Sequence, residues 1–252
     1  MSTSLKWAIA GVAIAIAVTT AMDANGLLLF SALPLFPLAF ALCIAQRIRP
    51  REASLTLGRP HHYVLALLHP VVVIGAITIL AIAFGAVHAG AIRWKPIAIN
   101  GLAGVIAVML TEEGFFRGWL WAALKRGGLS ERGTLVWSSA AFVAWHISAV
   151  VFDTGFNPHP AQIPLYLVNA FVMGAIWGLL RSISGSILVS SLCHSVWNAI
   201  VYSLYGFGTK TGALGIADTS IFAPEVGVLG LAFNLVFAAA LAVYSNRIRL
   251  RE

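Results

Sequence analysis

Glu112 and Glu113 are adjacent carboxylates, with Arg117 four residues further on, inside an otherwise mostly apolar stretch, 96–124. Ionisable side chains at bilayer depth cost roughly 2.5–3.5 kcal/mol each on insertion scales, and they are kept where they serve chemistry or transport. On a helix Glu113 and Arg117 share a face, while Glu112 points about 100° away. Arg117 therefore offsets one carboxylate and leaves Glu112 to face a cavity as a general base. Two more apolar stretches carry polar groups: His146 in Phe142-Val143-Ala144-Trp145-His146, and His194 with Asn198 in His194-Ser195-Val196-Trp197-Asn198. His194 and Asn198, four apart, share a face.

Depth relates these groups. At 1.5 Å per residue, Glu112, His146 and His194 lie roughly 17–22 Å from the helix ends on one side, a common level on three spans. Two carboxylates, two imidazoles and an amide at one level can activate water and stabilise an oxyanion, which peptide hydrolysis requires. Gly114 and Gly118, and Gly174 and Gly178, have the small-xxx-small spacing that lets helices approach closely.

The elements that must hold these groups are membrane spans. Of 252 residues, 60% are hydrophobic and 10% charged, against about 25% charged in soluble domains. Crossing about 30 Å of hydrocarbon takes about 20 residues. Apolar windows of about that length run over 7–22, 26–46, 63–87, 96–124, 133–152, 163–180, 184–205 and 226–244. The predicted fold class is all-α, a polytopic integral membrane helix bundle of about eight transmembrane helices, forming one membrane domain over 1–252.

Alternate connections carry Lys6; Arg47, Arg49, Arg51 and Arg59; Lys125, Arg126 and Arg132; Arg181; and Arg247, Arg249 and Arg251, twelve positive residues in all. The opposite connections carry Arg93, Lys95 and Lys210, with Asp23, Asp153, Asp218 and Glu225. Cytoplasmic connections keep the positive excess, so both termini are expected on the cytoplasmic side of a cell membrane. The net charge of +7 then reflects topology and lipid headgroups, and no nucleic-acid partner is implied. The first apolar run also fits a signal peptide loosely, whose removal would leave seven spans. Cys43 and Cys193 are too few for a disulfide framework. Of the longest connections, 47–62, 153–162 and 206–225, the last two have loop composition and are candidates for a lid or an access path.

Taken in order, E-E-x-x-x-R at Glu112, Glu113 and Arg117, F-x-x-x-H at Phe142 and His146, and H-x-x-x-N at His194 and Asn198 resemble the three motifs of the CAAX-protease and bacteriocin-processing family of intramembrane endopeptidases. The resemblance covers about 111–198, within a family core over 96–205. It implies that Glu112 and His146 hold and deprotonate a water, that His194 and Asn198 form an oxyanion hole, and that Glu113 and Arg117 support the site. It also implies a peptide or protein substrate, prenylated at a C-terminal CAAX box in eukaryotic relatives, or a peptide precursor. The site is expected to open towards the cytoplasm or sideways to lipid. Glu112, His146 and His194 are also an acceptable zinc set. No metal or other cofactor is favoured, because Asn198 is a poor zinc ligand but a good oxyanion donor and no H-E-x-x-H occurs.

Two other classes stand beside this reading. One is a proton-coupled transporter using the same acids and histidines, against which no inverted repeat or paired broken helices are found. The other is a non-catalytic bacteriocin-immunity or scaffold protein, against which the motifs are intact. Cys193 and His194 form no dyad, since helix neighbours diverge by about 100°. Ser182-Ile183-Ser184-Gly185 lacks the first glycine of a rhomboid-type motif, Gly206-Phe207-Gly208-Thr209 lacks the aspartate of an aspartyl protease, and Leu250-Arg251-Glu252 is no CAAX box. Trp7, Trp94, Trp119 and Trp121, near span ends, read as interfacial anchors. Phe142 and Trp145 read as packing. His61, His62, His69, His88 and His159 read as loop or span-end residues that nothing links, and Asn169 as a cross-helix hydrogen-bonding group.

Overall fold

The structure, a computed structural model, describes residues 1–152, 154–207 and 210–249. Asp153, Gly208, Thr209 and residues 250–252, invoked above for charge and for motifs, lie outside the described residues.

Among the described residues, eight helical segments are long and apolar enough to cross a membrane. They are α1 (Thr3–Ala24), α2 (Leu35–Ala45, entered by a 3-10 turn, Leu28–Phe30), α3 (Pro60–Ala83), the broken fourth span, α6 (Glu131–Val151), α7 (Ile163–Ser184), α8 (Ile187–Leu204) and α10 (Val228–Arg249). The fourth span runs through α4 (Trp94–Leu110), a π-helical turn (Gly114–Leu120) and α5 (Trp121–Arg126). After α8 come a two-residue hairpin, β1 (Gly206–Phe207) with β2 (Lys210–Thr211), and a short α9 (Thr219–Phe222). The protein is an all-α, multi-pass integral membrane helix bundle.

Local sequence explains the ends. Ser2, Ser130 and Ser186 each accept a backbone N–H from the first turn of the helix they open, the usual N-cap arrangement. Pro60 opens α3, where its missing N–H is not needed. Gly185 ends α7 at φ 65°, a left-handed conformation that glycine adopts without steric cost.

Burial orders the helices. In α7 and α8, 61% and 56% of the apolar window is buried, against 22% in α1 and α10. The outer helices present Ile9, Phe40 and Val236 to lipid, as expected where lipid tails are as apolar as the side chains. α4 lies along α8, and the Ser195 hydroxyl donates to the Gly101 carbonyl at 2.7 Å. Gly174 and Gly178 let α7 approach its neighbours: a Cβ at Gly174 would stand 3.1 Å from Arg117 Nη2, and one at Gly178 2.6 Å from Leu135 Cδ1. Gly114 has a different role from the predicted helix approach. A Cβ there would stand 2.6 Å from the carbonyl oxygen of Met109, five residues back in its own chain. The widened π-turn brings that oxygen inward, and glycine alone leaves room for it. Such turns recur at functional sites, and this one follows directly on Glu112 and Glu113.

Where the helices end, the connections fall into two sets. One end of the bundle carries 46–59, 127–130 and 185–186, and the other carries 25–34, 84–93, 152–162 and 205–227. At the first, arginine-rich end, Arg126 makes a bidentate pair with Glu52 at 2.7 and 2.8 Å and donates to the Gln46 and Arg47 carbonyls. Arg181 donates to the carbonyls of Arg117 and Glu52, and Ile187 N–H to that of Ser54. The 46–59 connection is thereby strapped over the ends of α5, α7 and α8. Beneath it Trp119 and Trp121 are 0% and 1% exposed, so they are core residues, not the interfacial anchors predicted. Trp7 and Trp94 are exposed.

Candidate active site

Glu112, His146, His194 and Asn198 line one cavity of about 240 Å³, together with Thr19, Asp23, Tyr166 and Tyr202. Four spans contribute these walls besides the broken fourth one: α1, α6, α7 and α8.

The floor is a buried charge cluster. Glu113 and Arg117 are both fully buried and meet at 3.3 Å between Oε1 and Nη1. Arg117 Nη2 donates to the Gly174 carbonyl at 3.1 Å, and the guanidinium lies over the Phe142 ring at 4.5 Å with Trp177 at 5.5 Å. Aromatic faces attract a cation of this kind, which helps to hold a charge that water does not reach. The same Glu113 oxygen contacts His194 Nδ1 at 3.2 Å.

His194 thus stands between two carboxylates. Glu113 takes the Nδ1 side, while Nε2 points towards Glu112 Oε2 at 3.8 Å, too long for a hydrogen bond. The ring lies flat on Trp177, with centroids 3.6 Å apart and planes at 11°, and this stacking leaves it one plane in which to act. Glu112 itself has a side chain 15% exposed and lines the cavity. His146 Nδ1 donates to the Phe142 carbonyl at 2.8 Å. A carbonyl only accepts, so Nδ1 carries the proton and Nε2 is left as the ring's other functional atom. Phe142 serves as packing between Arg117, His146 and Trp177.

Glu112, His146 and His194 do not gather into a metal site: among the described residues, no three His, Cys, Asp or Glu side chains are grouped so as to hold a metal ion.

Several wall residues were not anticipated. Trp145 donates its indole N–H to Thr19 Oγ1 at 2.6 Å, and Ser148 donates to Asp23 Oδ2 at 2.6 Å. Asp23 and Thr19, on α1, are 2% and 3% exposed; the sequence marked Asp23 only as a charge in a connection. Trp177 gave no signal beyond its span's apolar pattern. His69 also corrects the prediction of an unlinked histidine near a span end. It is fully buried in α3, bonds Asn234 Oδ1 at 2.8 Å, contacts Cys193 Sγ at 3.4 Å and stacks on Trp197 at 4.7 Å. Asn234 in turn donates to Asn169 Oδ1 at 2.9 Å, and Asn169 donates to the carbonyls of Pro224 and Glu225. Asn169 thus makes the cross-helix bonds read for it, and the network fixes the connection that carries Glu225.

Glu225 accepts from the Trp197 indole at 3.2 Å and lines a neighbouring cavity of about 360 Å³. The stacked rings of Phe156 and Phe207, 5.1 Å apart, line both cavities. Burial pushes the Glu225 carboxyl up from about 4.5 to about 7, against the opposing pull of Trp197 and His194. A carboxyl that keeps its proton to higher pH in the folded state contributes stability below about pH 4.5 that is lost as pH rises towards 7. Melting in detergent across that window should show wild type losing stability relative to Glu225→Gln as pH rises; parallel curves would contradict this placement.

A glutamate, two histidines and an asparagine on one internal cavity of a polytopic membrane protein are groups able to activate water and stabilise an oxyanion. Residues 93–200 match the family model described as type II CAAX prenyl endopeptidase Rce1-like. Over this segment, which contains all seven residues of the three motifs, the chain belongs to the Rce1-like branch of the CAAX-protease family. No curated protein and no solved structure matches the chain.

Proposed function

We propose that this protein is an intramembrane endopeptidase that hydrolyses a peptide bond with a water activated by Glu112. The observation that carries the proposal is the convergence of Glu112, His146, His194 and Asn198 on one cavity, within the segment matched to an endopeptidase family.

The water sits between Glu112 and the free Nε2 of His146. Glu112 takes one of its protons as the hydroxyl oxygen bonds to the substrate carbonyl carbon. Negative charge then develops on the carbonyl oxygen. The Asn198 side-chain amide and His194 Nε2–H donate to that oxygen, His194 carrying both its protons in this step. Its Nδ1–H goes to Glu113 at 3.2 Å, which offsets the imidazolium charge. Arg117, 3.3 Å from the same Glu113 oxygen, holds Glu113 in place. Collapse of the tetrahedral adduct breaks the C–N bond, and the proton held by Glu112 passes to the leaving amine. The products are a carboxylic acid and an amine, the acid passing its proton to the amine as both reach water, and the enzyme is regenerated.

The test is cleavage of a broad peptide pool by the purified protein in detergent, with new termini read by mass spectrometry. Wild type is expected to generate them; their absence would end the proposal. Asn198→Ala should lower kcat by about 10²–10³-fold with KM little changed, the loss seen when one oxyanion donor is removed. An Asn198→Ala variant with normal kcat would remove Asn198 from the mechanism.

A further inference from the structure

We infer that a closed circuit of buried polar groups behind α8 sets the rotation of that helix, and that Glu225, outside the segment matched to the family, acts through it as a positioning residue for Asn198. The inference rests on the endopeptidase reading and adds to it what places the oxyanion donor.

Asn198 lines the catalytic cavity and makes no hydrogen bond among the described residues. Where its amide points therefore depends on the backbone of α8. His194 is different, being held by Glu113 at Nδ1 and by Trp177 beneath its ring. Side-chain tips stand about 5–6 Å from a helix axis, so a turn of about 10° carries them about 1 Å. A misplacement of that size costs a reaction about 10²-fold.

The circuit starts and ends on α8. The Cys193 thiol donates to His69 Nδ1 at 3.4 Å, and His69 Nε2, on α3, donates to Asn234 Oδ1 at 2.8 Å. From α10, Asn234 donates to Asn169 Oδ1 at 2.9 Å; Asn169, on α7, donates to the Pro224 and Glu225 carbonyls at 2.8 and 3.0 Å. The Glu225 carboxyl then accepts from the Trp197 indole at 3.2 Å, back on α8. Glu225 thus closes the circuit with two groups, its carbonyl towards Asn169 and its carboxyl towards Trp197. It is 9% exposed, and the other five side chains are 0% exposed. A buried polar group that loses its partner is costly, so this arrangement tolerates little turning of α8.

The grip falls beside the catalytic face. Cys193 and Trp197, four apart, share a side of α8, and neither lines the catalytic cavity. Trp197 also stacks on His69, with planes at 5°. On the opposite flank the Ser195 hydroxyl donates to the Gly101 carbonyl of α4 at 2.7 Å. His194 and Asn198 lie between these two attachments.

The test is a double-mutant cycle on a peptide that wild type cleaves. Glu225→Leu and Trp197→Phe each remove the closing bond. Each is expected to lower kcat by about 10–10²-fold with KM within about threefold of wild type, as a displacement of about 1 Å would. Glu225→Gln keeps an oxygen for Trp197 and should retain most of the wild-type kcat. In an Asn198→Ala background Glu225→Leu should lower kcat by less than about threefold further, because effects that pass through one group do not add. Full additivity in that background, or Glu225→Gln as impaired as Glu225→Leu, overturns the inference and leaves the endopeptidase reading intact. No cleavage by wild type defeats the endopeptidase reading, and the position of residue 198 is then read from thiol labelling. A small methanethiosulfonate should label Asn198→Cys about tenfold faster than the same cysteine in Asn198→Cys/Glu225→Leu, since labelling follows access to the thiol. Equal rates, with the label located by mass spectrometry, overturn the inference whatever the activity.

Discussion

Glu112→Gln is expected to lower peptide hydrolysis by about 10²–10⁴-fold, the contribution of a positioned general base, while the protein still folds. The substitution keeps the side chain's shape and removes its capacity to take a proton from water. Glu112 is the carboxylate that can bear this change, because it lines the cavity and makes no hydrogen bond among the described residues; it stands 3.8 Å from His194 Nε2. The melting temperature in detergent should stay close to that of wild type. Rates within tenfold of wild type would show that another group activates the water.

Arg117→Leu is expected to have the largest effect on stability, about 3–5 kcal/mol, because removing one partner of a buried pair leaves an uncompensated charge. Glu113 and Arg117 are both 0% exposed, and Glu113 also holds His194. The double variant Glu113→Gln/Arg117→Leu should recover much of the stability, since it leaves no buried charge, but not the activity, since His194 loses the carboxylate that orients it. Thermal or denaturant unfolding of the detergent-solubilised variants provides the measurement. A single variant as stable as wild type, or a double variant no more stable than the single, would contradict this account of the pair.

Spacing made part of the site legible. Glu113 and Arg117, four apart, meet at 3.3 Å, and motif residues on three spans reach one cavity. The eight spans followed from apolar length, a signal that survives without knowledge of packing. What spacing left unread depends on helix rotation and on contacts between distant segments. The π-turn at Gly114–Leu120 has no marker in an apolar run. The stacking of Trp177 on His194 and the bond from Trp145 to Thr19 join residues far apart in sequence. Trp119 and Trp121 lie near Lys125 and Arg126, as belt residues would, yet the 46–59 strap covers that end and turns them into core. His69 was misread for a similar reason: its partners are on α8 and α10. The end of the bundle at which the cavity lies also required the walls in three dimensions.

The most direct test is to incubate a cleaved peptide with wild type and Glu112→Gln in H₂¹⁸O and to weigh the products. The predicted result is one ¹⁸O in each new C-terminal carboxylate from wild type, with product from Glu112→Gln reduced by at least 10²-fold, the lower bound for a lost general base. Equal product from both proteins, or none from wild type, would contradict the claim that Glu112 activates water within the membrane.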